Sequence, residues 1–157
     1  MPLTSTSLFI SGQNGLFHSP LGFSMNSGST DWELAPKPQN NRFIETVYRA
    51  PNGTDSEAIL TVRADKIHGR ADAAEYAKKW LHDYPRFGFE VLDAKKVNVA
   101  GQGAYVIDLV SHESSKQLRQ VLFVQGENAV TLTCRDKIQD FSQTLKVCDQ
   151  IIRTFRW

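Results

Sequence analysis

Apolar and polar positions follow no sustained period over the first 41 residues. These residues are rich in Ser, Gly, Asn and Pro, the vocabulary of turns and loops, and predict loop with short strands. From Arg42 the pattern changes. "RFIETVYRA" reads as a strand. In "EAILTVRADKI", Ala58, Leu60, Val62 and Ala64 alternate with Thr61, Arg63 and Asp65, the period of a half-buried strand. "ADAAEYAKKWLHDYPRFG" switches to a helical period. Ala73, Ala77, Trp80, Leu81 and Tyr84 share a face, with Asp72 as N-cap and Glu75 three residues on, as in a capping box. Pro85 ends this helix, because it has no N–H and restricts the residue before it.

Four further strands follow, "FEVLDAKKVNV", "GAYVIDLVS", "QLRQVLFVQ" and "NAVTLTC", joined by the short turns "AGQG", "HESSK" and "GEN". Short turns favour antiparallel neighbours, so these four predict a meander. A last helix is expected from about Lys137 to Phe155, with Ile138, Phe141, Leu145, Cys148, Ile152 and Phe155 as its apolar stripe. Strands, a helix, a four-strand meander and a helix indicate an α+β fold. A large antiparallel β-sheet with helices packed on it is expected.

Composition narrows the function more than the fold. At 157 residues the chain is expected to be a single domain, 1–157, with 1–15 as a loosely ordered N-terminal extension. With 18 basic and 17 acidic residues the net charge is +1, which gives no reason to expect nucleic acid or an anionic membrane as the main partner. No apolar run reaches the roughly 20 residues of a membrane span. The first residues, "MPLTSTSLFISGQNG", lack the basic and long apolar regions of a signal peptide. Two origins stay open: a cytoplasmic chain, or an exported domain, periplasmic or envelope-associated, whose signal has been removed. Asn52-Gly53-Thr54 fits a glycosylation triplet, which has meaning only in a eukaryotic secretory setting.

Several stretches carry a family resemblance: "LGFSMNSGSTDWEL", a glycine–aromatic strand followed by a tryptophan; "VAGQGAYVIDL", a small turn before a strand containing Tyr; the hairpin "RQVLFVQGENAVTLTC"; and the closing "CDQIIRTFRW". From about Leu16 to Trp157 the chain resembles the PsbP-like family and the related Ran-binding Mog proteins. The resemblance implies an α-β-α sandwich around an antiparallel sheet, and a binding or scaffolding role rather than an enzyme. Members of that family include an extrinsic subunit of photosystem II, a binder of the Ran GTPase, and bacterial exported proteins without an assigned role. None of the matching stretches is a catalytic signature, and no partner carries over.

Candidate chemistry is sparse. His18, His68, His82 and His112 fall in no metal-ligand spacing. His112, beside Glu113 in a predicted hairpin turn, is expected to be a solvated turn residue. Ser24 lies in G-x-S without the closing glycine of a nucleophile elbow. "GQNG", "AGQG" and "NSGS" open no helix after a parallel strand, so they are turns rather than phosphate loops. Asp108 is mid-strand beside Ala104, Val106 and Val110. It is expected to form a cross-strand ion pair with Arg63, Arg119 or Lys95. Lys78, Lys79 and His82 read as the solvated side of the first helix. Trp80 reads as core. Trp32 packs under the N-terminal loop or lines a groove, and Trp157 caps the sheet or is exposed. Cys134 and Cys148 both point at the core. A helix starting at Lys137 would carry Cys148 roughly 15 Å from its start, beyond the roughly 7 Å a disulfide spans between Cα atoms. Two reduced, buried thiols acting as small hydrophobes are therefore expected.

The expected function is a non-enzymatic binding or accessory module acting through protein–protein contacts, as a monomer or weak oligomer, with no cofactor and no metal. Contacts are expected through the 1–41 segment and the loops at one sheet edge, and Trp32, Asp108 and His112 are the candidate contact residues. The alternative is a small-molecule or metal-binding protein, or a cryptic enzyme, with a pocket between the sheet and the N-terminal segment.

Overall fold

The computed structural model describes residues 15–51, 56–69 and 71–157. The expected N-terminal extension, Gly15 apart, and the Asn52-Gly53-Thr54 triplet lie outside these residues. The short strands β1 (Phe17–His18) and β2 (Ser24–Met25) pair with each other. The remaining strands are β3 (Glu33–Ala35), β4 (Ile44–Arg49), β5 (Ile59–Lys66), β6 (Glu90–Val99), β7 (Gln102–Ser111), β8 (Lys116–Gln125) and β9 (Asn128–Lys137). They form one seven-stranded sheet in the order β3-β4-β5-β9-β8-β7-β6, antiparallel throughout. Helix α1 (Ala73–Asp83) lies on one face, over β6, β7 and β8; helix α2 (Phe141–Ile152) lies on the other, against β8 and β9. The α+β class and the meander are as the residue pattern indicates, and the two-sided arrangement is as the family resemblance implies.

Local chemistry explains the joints. The Asp72 side chain accepts from the Glu75 amide at 2.8 Å and starts α1. A 3₁₀ turn carrying Pro85 ends it, closed by Gly88 at φ +87°. Between β6 and β7, Ala100 and Gly101 both take positive φ, 51° and 87°, as the twist of a tight hairpin requires.

Strand alternation sorts the core. Leu60, Val62, Leu132, Cys134, Val121 and Phe123 face α2. There they join Phe23, Met25 and Trp32 from the N-terminal segment and Phe155 from the C-terminus in a single large cluster. Ile107, Leu109, Leu118 and Leu122 face α1 and pack with Tyr76, Ala77 and Tyr84. A third, small cluster of Ile44, Val47 and Ile59 sits on the α1 side of β4 and β5.

The cysteine expectation is overturned: Cys134 and Cys148 form a disulfide, with Cα atoms 6.1 Å apart. The error lies in where the last helix begins. β9 runs on to Lys137, a 3₁₀ turn covers Ile138–Asp140, and α2 starts only at Phe141. From Cys134 the strand advances three residues, about 10 Å. Helix α2 then returns seven residues, also about 10 Å. Outward and return paths cancel, and Cys148 lands over Cys134. Both were correctly placed in the core, each fully buried.

Candidate functional site

Side chains of opposite character meet where α1 stops covering the sheet. Arg63 and Asp65 are two apart on β5 and therefore share its α1 face. Arg63 donates Nε to Asp65 Oδ2 at 2.9 Å and Nη2 to Oδ1 at 3.3 Å. On the neighbouring strands the same face carries Thr131 opposite Arg63, Thr133 opposite Thr61, and Gln120 opposite Thr133. The result is a polar strip between the cluster under α1 and the small cluster of Ile44, Val47 and Ile59.

Helix α1 walls this strip with aromatic rings. Tyr76, Trp80 and Tyr84 recur every fourth residue, the spacing that stacks neighbours along a helix. Their ring centroids are 6.3 Å apart at each step. The phenol of Tyr76 donates to Asp65 Oδ2 at 2.9 Å, and that of Tyr84 donates to Gln120 Oε1. The Gln120 amide in turn donates to Thr133 Oγ1 at 3.3 Å. Burial pushes both phenols up to about 12, so at neutral pH they are hydrogen-bond donors. A cleft of about 160 Å³ lies between Arg63, Asp65, Trp80, Tyr84, Gln120, Leu122 and Thr131.

Cations line its rim. The Arg63 guanidinium lies 4.8 Å from the Phe43 ring centroid and 5.8 Å from that of Trp80. Arg42 lies 5.1 Å from Phe43, and the Lys79 ammonium 5.0 and 5.2 Å from Tyr76 and Trp80. Each ring thus holds a cation in place through its quadrupole.

A second ionic group sits on the α2 face. Arg119 on β8 grips Asp108 on β7 with two bonds, 2.8 and 3.2 Å. Its Nη1 is 3.8 Å from Asp149 of α2. Burial raises the Asp149 pKa against the pull of Arg119 and Arg153, while the bond to Asp108 raises that of Arg119. Arg119, Asp149 and Arg153 border a cleft of about 240 Å³ with Val97, Val106 and Val121. A third, of about 270 Å³, lies beside Asp72, Lys96, Gly103 and Val124. A shallower depression of about 410 Å³ adjoins Ala71, Asp72, Glu75 and Gly126. Among the described residues no three His, Cys, Asp or Glu side chains are placed to hold a metal, and no helix is long and apolar enough to cross a membrane.

No family model and no curated protein matches the sequence. Solved structures do. The chain is similar to PsbP from the cyanobacterium Synechocystis, at 11% identity over 90% of each chain with a TM-score of 0.62. The fold is PsbP-like. It is also similar to a protein of unknown function from Pseudomonas aeruginosa, at 16% identity over 88% of this chain and 93% of the other, TM-score 0.60. A Bacteroides thetaiotaomicron structure matches 92% of this chain at 16% identity and TM-score 0.62, and there the chain spans 48% of its length.

Within this PsbP-like fold the three candidate contact residues lie apart. Trp32 is buried in the α2-side core, 6% exposed, so it packs beneath the N-terminal segment rather than lining a groove. Asp108 takes the expected cross-strand pair, with Arg119 as the partner. His112 is exposed in its turn and meets Glu90 Oε1 at 2.9 Å. Trp157 packs edge-on against Phe23 and Phe155, at 5.8 and 5.6 Å. Trp80 is only partly buried and walls the cleft. The Arg63–Asp65–Tyr76–Tyr84 network was not anticipated. A sequence signal existed, since "YAKKWLHDY" repeats an aromatic residue every fourth position.

Proposed function

We propose that the chain is a non-catalytic module that binds a protein partner through the α1 side of its sheet. One observation carries this: the polar groups of the aromatic cleft are already engaged with one another. Arg63 and Tyr76 hold Asp65, and Tyr84 holds Gln120. Phenols pushed up to about 12 act as fixed donors near neutral pH, not as bases. At about 160 Å³ the cleft is below the roughly 300–1,000 Å³ usual for small-molecule sites. Its Arg, Trp and Tyr side chains are the types that dominate protein–protein hot spots. The disulfide supports a place in an oxidising compartment, where such bonds persist.

The test is native mass spectrometry of the protein isolated from its source cells after mild cross-linking. A stoichiometric protein partner, cross-linked at Lys79, is the expected result. A chain carrying a stoichiometric small molecule or metal, and no partner, would overturn the proposal.

A further inference from the structure

Among the described residues on the α1 side of the sheet, cations outnumber carboxylates, and most of these cations make no ion pair. Along β5 and its neighbours the polar strip continues from the cleft past Thr61 and Thr133 to Ile59, which Arg49 and Arg135 flank on the adjacent strands. Both arginines are exposed, and neither makes an ion pair or side-chain hydrogen bond among the described residues. Arg42 and Lys79 likewise contact rings and make no ion pair among the described residues. The carboxylates are fewer. Asp65 is taken by Arg63 and Tyr76, and Glu57 by Lys116. Glu33 lies opposite Arg49, and Glu75 is one turn before Lys79.

Two physical features fit this surface to one kind of occupant. The cations at the cleft are seated on rings before anything binds, so little side-chain freedom is lost when they meet an anion. The second is reach: Ile59 and Arg63 are four residues apart on one strand, about 13 Å, so the two cation groups suit an extended segment a few residues long with carboxylates at both ends. The 14 residues before Gly15 carry no acidic or basic side chain, so charge complementarity points away from that segment of the chain itself. The carboxylates on the face count against a nucleic-acid backbone, whose every unit is anionic.

Resting on the protein-binding function proposed above, we infer that this strip, from Trp80 and Arg63 to Arg49 and Arg135, docks an extended acidic segment of a protein partner. The side chains that confer the acidic preference are Arg42, Arg49, Lys79 and Arg135, while Arg63 stays paired with Asp65.

The experiment is selection from random peptides of about a dozen residues displayed on phage, against the folded, oxidised chain. It is followed by binding of the selected peptides to R49E/R135E, with single-stranded polyuridylate as a second probe. Both substituted residues are exposed, so the variant is expected to keep the wild-type circular dichroism and Tm; K79E is the substitute if it does not. The expected result is selection of Asp- and Glu-rich peptides whose affinity falls about tenfold or more in the variant and weakens with salt. Neutral or basic selected peptides, no selected peptides, unchanged affinity in the variant, or polyuridylate binding that the variant abolishes would each overturn it. Native cross-linking of the variant separates the two proposals. If R49E/R135E keeps its native partner, the strip is wrong and the protein-binding module stands; if wild type has no partner, the module itself falls.

Discussion

The two faces of the sheet solve the same packing problem in different ways. On the α2 face one continuous apolar cluster joins the sheet, α2, the N-terminal strands and the C-terminal Phe155. A disulfide then ties the helix to β9. On the α1 face the apolar surface is split into two clusters, and a strip of Thr, Gln, Arg and Asp runs between them. The α2 face is closed by apolar side chains at its centre, and its ionic group, Arg119 with Asp108 and Asp149, lies to one side at a cleft of about 240 Å³. The strip cannot be closed by an apolar helix without stranding its polar groups, which would cost about 1–3 kcal/mol for each one left unbonded. The difference assigns stability mainly to the α2 face; the α1 face is the one proposed above to meet a partner.

The largest expected contrast comes from emptying each face in turn. Phe155 is fully buried and stacks on Phe123 with centroids 4.2 Å apart. Phe155→Ala should cost about 3–5 kcal/mol in urea unfolding. Thr133→Ala, on the strip, should cost under about 1 kcal/mol; equal costs would erase the distinction. Next is the disulfide, which closes a loop of 14 residues' separation. Its removal in C134A/C148A should cost about 3 kcal/mol, measured against wild type with and without reductant. Arg119→Ala leaves Asp108 half-buried without its two bonds, and a loss of about 2 kcal/mol is expected in the same assay.

The pH test reads Tyr76 and Tyr84 on the strip together with Tyr48 on the α2 face, which burial raises further still, and it is silent at neutral pH. Tyr76 and Tyr84 have folded pKa values raised from 10.0 to about 12. Between these limits the folded state holds protons that the unfolded state has lost. Their contribution is therefore complete below about pH 10 and disappears as pH rises towards 12. Absorbance titration at alkaline pH should show these two phenols ionising late, with Tyr48 later still, and Tyr76→Phe should remove one of the strip's two. The smallest expected effect is that of R49E/R135E on folding, within about 0.5 kcal/mol, since exposed charges contribute little to stability.

Much of this architecture was legible in the residues. The alternation in "EAILTVRADKI" separates the two faces of β5 correctly, and the four meander strands and the Asp72 cap fall where the pattern puts them. The PsbP-like resemblance held at the level of the fold. What failed was a boundary: Lys137 ends a strand instead of starting a helix, and that shift is enough to turn two separate thiols into a disulfide. Boundaries are set by tertiary packing, which periodicity does not report. The strip was missed for another reason. Arg63 and Asp65 were placed on the right face, but which element leaves that face uncovered depends on where α1 docks across the sheet. That is a long-range property no local window contains. Trp32 shows the converse, a residue whose loop setting suggested contact and whose packing makes it core.

The most direct test of the division between a structural face and a recognising one is a backbone amide NMR titration with the tightest selected acidic peptide. The expected map places the largest shifts at Thr61, Arg63, Thr131, Thr133 and the Trp80 indole, with α2 and Phe23 unmoved. Shifts centred on Phe23, Trp157 and α2, with the strip silent, would contradict it.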